Sequence, residues 1–391
     1  MPWITPTMMS QRSEFVRLAS QAGVNMRQLC RRFQISPKTG YKWRQRYAAG
    51  GAAALGDQPR RPKHSPGVSD PAMSARVIAL RTQYPSWCGR KLRRRLLDLG
   101  ERAPAASTCT AILRRAQLLH PGGRPGGPLQ RFERAQPNEL WQMDFKGHFA
   151  TQAGPRCHPL TMLDDHSRFN LVLHAAADQT AATVQPALQA AFQLYGLPEA
   201  ILCDNAPPWG CPDPVCPYST LGVWLLRLGI RVLHGRPYHP QTQGKEERFH
   251  RTLDFELLGR HTWRDLAHCA AAFPPYRQIY NCERPHDALA GATPVSRYRP
   301  SPRSLPAALL ALEYPLHTLV RTVRACGFIT WRGQTWYAGR AFAGQPVGLR
   351  PSPQTDGLWV VYFGPHPLGH IDLRTQAQPK HQLQSIYKTP A

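Results

Sequence analysis

Between Leu140 and Leu258 the spacing of the apolar residues changes repeatedly from that of a strand to that of a helix, and this alternation constrains the fold most. The segments WQMDF, PLTMLDDHSRF and NLVLHAAA are rich in branched and aromatic residues and predict three successive strands. The elements that follow alternate between helix and strand, at 180–195, 200–204, 220–228, 230–233 and 244–258. This order predicts a mixed α/β sheet with helices on its faces, within a core of residues 139–300.

Residues 10–50 predict three short helices arranged as a helix-turn-helix DNA-binding domain. The third helix is expected to begin at Ser36-Pro37, because a serine N-cap followed by proline favours a helix start. In this motif the last helix enters the major groove of DNA. Its polar face is therefore expected to contact DNA through Lys38, Thr39, Lys42 and Arg46.

The remaining segments predict linkers and smaller domains. Residues 51–69 form a basic, Pro- and Gly-rich linker, in which Arg60, Arg61 and Lys63 can follow DNA phosphates. Residues 70–118 predict a second helix-turn-helix-like domain, and 119–138 a second basic linker. Residues 317–375 are rich in strands and turns and predict a small β-barrel-like domain.

The charge balance points to a polyanionic partner. The 391 residues include 49 Lys and Arg against 24 Asp and Glu, a formal charge of +25. Nucleic acid is the first expectation and an anionic membrane surface the second, with a basic protein that lacks any such partner as the alternative.

No apolar run approaches the roughly 20 residues that span a bilayer, and residues 1–10 lack the pattern of a signal peptide. We therefore expect a soluble, cytoplasmic protein without a membrane partner.

Three acidic positions predict a metal-dependent site. Asp144 lies in the first predicted strand, Asp204 ends the fourth, and Glu246 and Glu247 open the last helix of the core. If the first and fourth strands are neighbours, these carboxylates converge and offer the oxygen ligands that hard cations need. Two ions about 4 Å apart can assist an in-line displacement at phosphorus.

Helical periodicity favours Glu247 over Glu246 as the third carboxylate. Phe249, Leu253 and Leu257 define the apolar arc of this helix, which also includes Glu246. The opposite face is expected to carry Glu247 together with His250, Arg251 and Asp254. Because both glutamates lie near the helix start, periodicity alone leaves the choice open.

The segments WQMDF, LDDHSRF, ILCDN, HGRPYHPQTQGKEERFHRTL and YNCERPHDALAGATPVSRY resemble bacterial insertion-sequence transposases with a retroviral-integrase-type core. The resemblance implies a ribonuclease-H-like core and a catalytic triad of Asp144, Asp204 and Glu247 that holds Mg²⁺ or Mn²⁺, with two ions expected. It implies cleavage at element ends and strand transfer into target DNA by a DDE-type polynucleotidyl transferase. A homo-oligomer that binds the terminal inverted repeats and target DNA in the bacterial nucleoid is expected.

Four basic residues of the last core helix are expected to hold the DNA backbone near this site: Lys245, Arg248, His250 and Arg251. The alternative is a solvated helix face.

For Asp164 and Asp165 we expect a structural role and not a role as extra metal ligands. We expect Cys211 and Cys216 to be unpaired thiols in a loop. The alternative, a zinc site, needs two more suitably spaced ligands.

Two departures from the family pattern concern activity. Asp204 and Glu247 are separated by more residues than is usual in such cores, and Ala206 stands where the family commonly has glycine. The alternative functions are a non-catalytic helix-turn-helix regulator, which would be an inactive transposase copy, and a ribonuclease-H-type nuclease that cuts without joining.

Overall fold

The computed structural model describes residues 8–57, 69–119, 133–211, 217–234, 244–374 and Leu383. The chain divides into two compact units, Met1–Val68 and Ser69–Ala391. Among the described helices, none combines the length and apolar character that crossing a membrane requires.

The first unit is a bundle of three helices, α1 (Met8–Ala19), α2 (Met26–Arg32) and α3 (Pro37–Gly50), followed by a short 3-10 turn. Ser36 Oγ accepts a hydrogen bond from the Thr39 backbone N–H, so the predicted start of α3 is confirmed. The side chains that form the core come from all three helices and the turn: Phe15, Val16, Leu29, Trp43 and Leu55. Gly40 lets α3 approach the other two helices closely, because a Cβ there would lie 2.5 Å from Cys30 Sγ.

The second unit begins with another three-helix module, α4 (Pro71–Gln83), α5 (Gly89–Asp98) and α6 (Ala106–Arg115). Leu92 and Leu96, one turn apart on α5, are fully buried within it. The module packs on the rest of the unit through Glu283, which accepts hydrogen bonds from the Tyr84 hydroxyl and, at 2.7 Å, from Arg95 Nη2.

A five-stranded mixed sheet forms the centre of the second unit, with strand order β3-β2-β1-β4-β5. Its strands are β1 (Trp141–Phe145), β2 (His158–Asp164), β3 (Asn170–Ala176), β4 (Ala200–Cys203) and β5 (Arg231–His234). The first three strands pair antiparallel, whereas β4 runs parallel to both β1 and β5. The predicted mixed sheet and the pairing of the first and fourth strands are therefore confirmed.

Helices cover both faces of this sheet: α7 (Ala181–Tyr195), α8 (Thr220–Arg227), α9 (Gly244–Glu256) and α10 (Leu266–Cys282). Side chains alternate between the faces along each strand. Accordingly, Met162 of β2 packs in the core with α7 and α8, while the next residue, Leu163, packs in the core with α9 and α10. Helix α10 was not predicted from the sequence, since it contains Pro274 and Pro275, which ordinarily interrupt a helix.

The C-terminal strands are β6 (Leu319–Thr322), β7 (Phe328–Trp331), β8 (Gln334–Tyr337), β9 (Pro346–Pro351), β10 (Leu358–Phe363) and β11 (His366–Asp372). They form a four-stranded sheet, β11-β10-β9-β6, and a separate two-stranded sheet, β7-β8. The predicted barrel-like closure is not confirmed, because the described strands form no continuous ladder around a barrel. The two open sheets instead share one apolar core, to which Ile329 and Trp336 contribute from one sheet and Val347 and Val361 from the other.

Candidate active site

Three acidic side chains lie at one edge of the central sheet. In the parallel pairing of β1 and β4, Gln142 lies opposite Leu202. Asp144 and Asp204 each follow two residues later, so they extend from neighbouring strands in the same direction. Glu247 lies in the first turn of α9, which packs against β1 and β2.

The pKa of Asp144 is affected by both of the other carboxylates. Burial raises the pKa of Asp144 to about 6, with further contributions from repulsion by Asp204 and Glu247. The pKa of Asp204 is also raised, mainly by burial, although the Ala206 backbone N–H donates to its carboxylate at 3.2 Å. Within the described parts of the chain, no three His, Cys, Asp or Glu side chains are grouped closely enough to hold a metal ion as they stand.

The two glutamates of α9 have opposite environments. Glu246 is fully buried, and Glu247 is exposed. Thr161, which faces Asp144 across the β1–β2 ladder, places its Oγ1 2.9 Å from Glu246 Oε2. Burial raises the pKa of Glu246 well above its ordinary value. The placement of Glu246 in the apolar arc of this helix was therefore correct, and Glu247 is the glutamate that faces solvent.

The expected position of His250 on the exposed face with Glu247 was wrong. His250 is buried, with Nε2 2.8 Å from Thr161 Oγ1 and Nδ1 4.0 Å from Asp144 Oδ2. It is one full turn after Glu246, and residues four apart share a helix face. Burial, together with the nearby Lys146, lowers the pKa of His250 to about 4, so the imidazole is neutral near pH 7.

Asp164 has a structural role. It is fully buried, and its carboxylate accepts hydrogen bonds from the backbone N–H groups of Asn138 and Ser167, each at 2.8 Å. The Ser167 hydroxyl donates a third at 2.6 Å. The two bonds from Ser167 close the turn between β2 and β3, and the bond from Asn138 connects this turn to the segment before β1.

Asp165 and Lys245 form a buried ion pair. Asp165 is fully buried, and only 16% of the Lys245 side chain is exposed. Burial lowers the pKa of Lys245, while the Asp165 carboxylate opposes that shift. Lys245 is thus engaged within the protein, contrary to the expectation of a DNA backbone contact.

The other basic residues predicted to contact DNA have varied surroundings. Lys38 and Lys42 are exposed on α3, and Lys42 Nζ lies 5.0 Å from the centre of the Trp43 ring. Arg46 also lies over Trp43, at 5.1 Å, while Thr39 is hydrogen-bonded to the N-cap serine. On α9 the exposed cations are Arg248 and Arg251. Arg60, Arg61 and Lys63 lie outside the described residues, as does Cys216.

A second polar cluster lies beneath the C-terminal end of α9. Arg284 is buried, and its Nε donates to both carboxylate oxygens of Glu256 at 3.0 Å. Lys91 Nζ of α5 lies 4.0 Å from the same carboxylate. The neighbouring His286 is also buried. The stretch NCERPH therefore packs the helical module and α9 together.

The polar residues on the strands themselves were not predicted to be part of this site. Gln142 and Thr161 are almost fully buried, and both hydrogen-bond acidic side chains of this region. The signal available in the sequence was a polar residue at a position of a strand otherwise filled by apolar ones, since buried polar groups almost always have partners.

Comparison with protein families finds five matches along the chain. The matches are the integrase core domain at 134–240 and 228–294, the C-terminal domain of IS481 family transposases at 318–379, a helix-turn-helix domain at 11–63, and a homeodomain-like domain at 39–113. The helix-turn-helix segments and the integrase core expected from the sequence are thereby confirmed.

Curated relatives belong to insertion elements and a retrovirus. The chain is 28% identical over 178 residues to an uncharacterised 31.7 kDa protein of insertion element IS407 from Burkholderia multivorans, covering 46% of this chain and 57% of that protein. It is 27% identical over 172 residues to a 39.2 kDa protein of IS476 from Xanthomonas euvesicatoria, covering 44% and 47%. The Gag-Pro-Pol polyprotein of mouse mammary tumor virus is 28% identical over 122 residues, 31% of this chain and 6% of the polyprotein.

Solved structures of retroviral integrases are also similar to this chain, but loosely. The HTLV-2 integrase catalytic core domain in complex with magnesium has a TM-score of 0.32 and 16% identity, covering 42% of this chain and 99% of that one. A simian T-cell lymphotropic virus intasome, in complex with a PP2A regulatory subunit, has a TM-score of 0.36 and 16% identity, covering 74% and 97%.

The chain therefore combines matches to an integrase core domain with matches to helix-turn-helix and homeodomain-like segments. Together with the match to the C-terminal domain of IS481 family transposases and the insertion-element relatives, they make the chain similar to insertion-sequence transposases with an integrase-type core, and the chain spans about half the length of the insertion-element relatives that it matches.

Proposed function

We propose that this protein cleaves DNA at the ends of its element and joins the freed 3′-hydroxyl to target DNA, at one site formed by Asp144, Asp204 and Glu247. The observation that supports the proposal is that Asp144 and Asp204 each follow a residue of a paired position on β1 and β4, while both Asp204 and Glu247 contribute to the raised pKa of Asp144. The alternative glutamate, Glu246, is buried and hydrogen-bonded to Thr161, so its carboxylate does not face solvent.

The residues fit a divalent cation of the Mg²⁺ or Mn²⁺ type. The donor set consists of carboxylate oxygens, which hard cations prefer. Mutual repulsion contributes to the raised pKa of Asp144, and this repulsion is relieved when a cation lies between the groups. A bound pair of such ions supplies activation of the attacking oxygen and stabilisation of the leaving oxygen at phosphorus.

The protein's own residues supply DNA binding and orientation. We assign reading of the element ends to the helix-turn-helix units at 10–50 and 70–118, with Lys38, Lys42 and Arg46 of α3 among the contacts. Arg60, Arg61 and Lys63 of the basic linker follow the phosphates. Beside the carboxylates, Arg248 and Arg251 are the exposed cations that hold the backbone, in place of the buried His250 and the paired Lys245. Since two ends are processed together, a homo-oligomer assembles on DNA.

The test is a cleavage assay with purified full-length protein and labelled duplex that carries the element's own ends, in Mg²⁺ or Mn²⁺. We expect cut strands with the wild-type protein. Asp204→Asn should abolish cleavage and leave DNA binding intact, whereas Asp356→Asn, an exposed carboxylate of the C-terminal domain, should change neither. Binding without cleavage in both metals would instead assign the protein as a helix-turn-helix regulator.

A further inference from the structure

Asp165 is a buried junction between elements that carry the proposed catalytic residues. Its Oδ1 accepts a hydrogen bond from Gln142 Nε2 at 2.7 Å and pairs with the Lys245 ammonium group. Its Oδ2 accepts from the Arg134 backbone N–H at 2.8 Å. Both oxygens of Asp165 are therefore engaged with protein donors, and the side chain is fully buried.

Gln142 and Lys245, the two side chains that donate to Asp165, each precede a proposed catalytic carboxylate by two residues. Gln142 precedes Asp144 by two residues on β1, so the two residues lie on the same face of that strand. Lys245 precedes Glu247 by two residues in the first turn of α9. One carboxylate therefore joins the element that carries the first acidic residue to the element that carries the third.

We propose that Asp165 is a positioning residue, which holds the start of α9 against β1 through Lys245 and Gln142 and so sets the separation between Asp144 and Glu247. This inference rests on the proposed function.

A second contact fixes the rotation of the helix. Consecutive residues of a helix point about 100° apart. Lys245 is held by Asp165, and the next residue, Glu246, by Thr161 of β2. Two anchors on successive residues determine both the axial position and the rotation of the first turn, which presents Glu247 on its exposed side.

Lys245 and Arg248 have different roles under this proposal, although both were expected from the sequence to contact DNA. A lysine that contacts phosphate adds to DNA affinity and to its salt dependence. A lysine that positions a catalytic group changes the rate at saturating DNA, since a misplacement of about 1 Å can cost about 100-fold. Arg248 is exposed on the same turn and provides the comparison.

The experiment measures cleavage rate at saturating DNA, and DNA affinity at several salt concentrations, for Asp165→Asn, Lys245→Met, Lys245→Arg and the double variant Asp165→Asn/Lys245→Met. We expect each of the first two to lower the rate about 100-fold while the Kd stays within about twofold. Lys245→Arg keeps the charge and should recover part of the rate. Arg248→Gln should raise the Kd and reduce its salt dependence.

The double variant distinguishes positioning from a general loss of stability. Removing both charges of a buried pair avoids the penalty of leaving one charge unpaired, so the double variant should be more stable than Lys245→Met. It should nevertheless cleave as slowly as Lys245→Met. Recovery of the rate along with stability would refute the inference, as would a Lys245→Met protein that loses DNA affinity at an unchanged rate.

Hydrogen exchange provides a readout that does not depend on cleavage. Lys245→Met should accelerate exchange of the amides at 248–252, the first amides of α9 that have acceptors within the helix, whereas Asp356→Asn should not. If the wild-type protein fails to cleave, the proposed function fails and exchange alone tests the positioning contact. Unchanged exchange in that segment would overturn the inference even if the wild-type protein cleaves.

Discussion

Replacement of Arg284 by methionine tests the buried cluster that connects α9, α10 and the second helical module. Only 9% of the Arg284 side chain and 7% of the Glu256 side chain are exposed. Methionine retains the apolar stem but removes the donor that serves both Glu256 oxygens at 3.0 Å. Among the described residues, Glu256 would then keep only the Tyr276 hydroxyl at 3.4 Å and the Lys91 ammonium group at 4.0 Å.

The loss of stability expected from Arg284→Met follows from the burial of the Arg284–Glu256 pair. Breaking a buried ion pair by removing one partner costs about 3–5 kcal/mol. Since Lys91 remains near Glu256, we take the lower end, about 3 kcal/mol. This corresponds to a roughly 150-fold increase in the equilibrium constant for local opening.

Hydrogen exchange of peptides that cover α9 and α10 measures this opening in the full-length protein, where a single global unfolding transition is not expected. Arg284→Met should accelerate exchange in both helices. In the Glu256→Gln background, where Arg284 is already a buried cation without its carboxylate, the same change should cost little or should stabilise the cluster. A loss below about 1 kcal/mol in the wild-type background, or an equal loss in both backgrounds, would refute this reasoning.

Further predictions concern the two helical modules. Burial lowers the pKa of Lys91 from 10.5 to about 8, so between these values the unfolded chain holds the extra proton and stability rises with pH. Lys91→Met should remove this rise, which is worth at most about 3 kcal/mol, as measured by exchange at pH 7 and pH 9.5. Gly40→Ala should destabilise the first unit by about 1–3 kcal/mol, because its Cβ would approach Cys30 Sγ, and thermal unfolding of that unit should show the loss. Ser36→Ala should cost about 1 kcal/mol by removing the hydrogen bond to the Thr39 N–H, while Ser36→Asp should not.

Features that depend on neighbouring residues in the sequence could be predicted well. The helix start at Ser36-Pro37 depends on local capping chemistry, and the structure shows that cap. The apolar arc through Phe249 and Leu253 correctly placed Glu246 in the interior. Periodicity failed for His250, because one exposed face was expected to carry both it and Glu247, whereas it shares the buried side with Glu246.

Several features that depend on distant residues could not be predicted, although the pairing of the first and fourth strands was. Lys245 pairs with Asp165, which is 80 positions away in the chain, so an expected surface cation is instead part of an ion pair within the protein. Helix α10 was missed because its two prolines obscured an apolar spacing that is clear in the structure: Cys269, Phe273, Tyr276 and Tyr280. Closure of the C-terminal strands likewise depends on pairing between distant segments, and the open sheets there have no local signature.

The most direct test of the catalytic assignment compares the adjacent glutamates in a strand-transfer assay. Full-length protein would be incubated with labelled element ends, target DNA and Mg²⁺, and the joined products quantified for wild type, Glu247→Gln and Glu246→Gln. We predict that Glu247→Gln abolishes joining, whereas Glu246→Gln retains it, because a buried amide can still hydrogen-bond Thr161. Joined products from Glu247→Gln, or their loss only in Glu246→Gln, would contradict the proposed catalytic site.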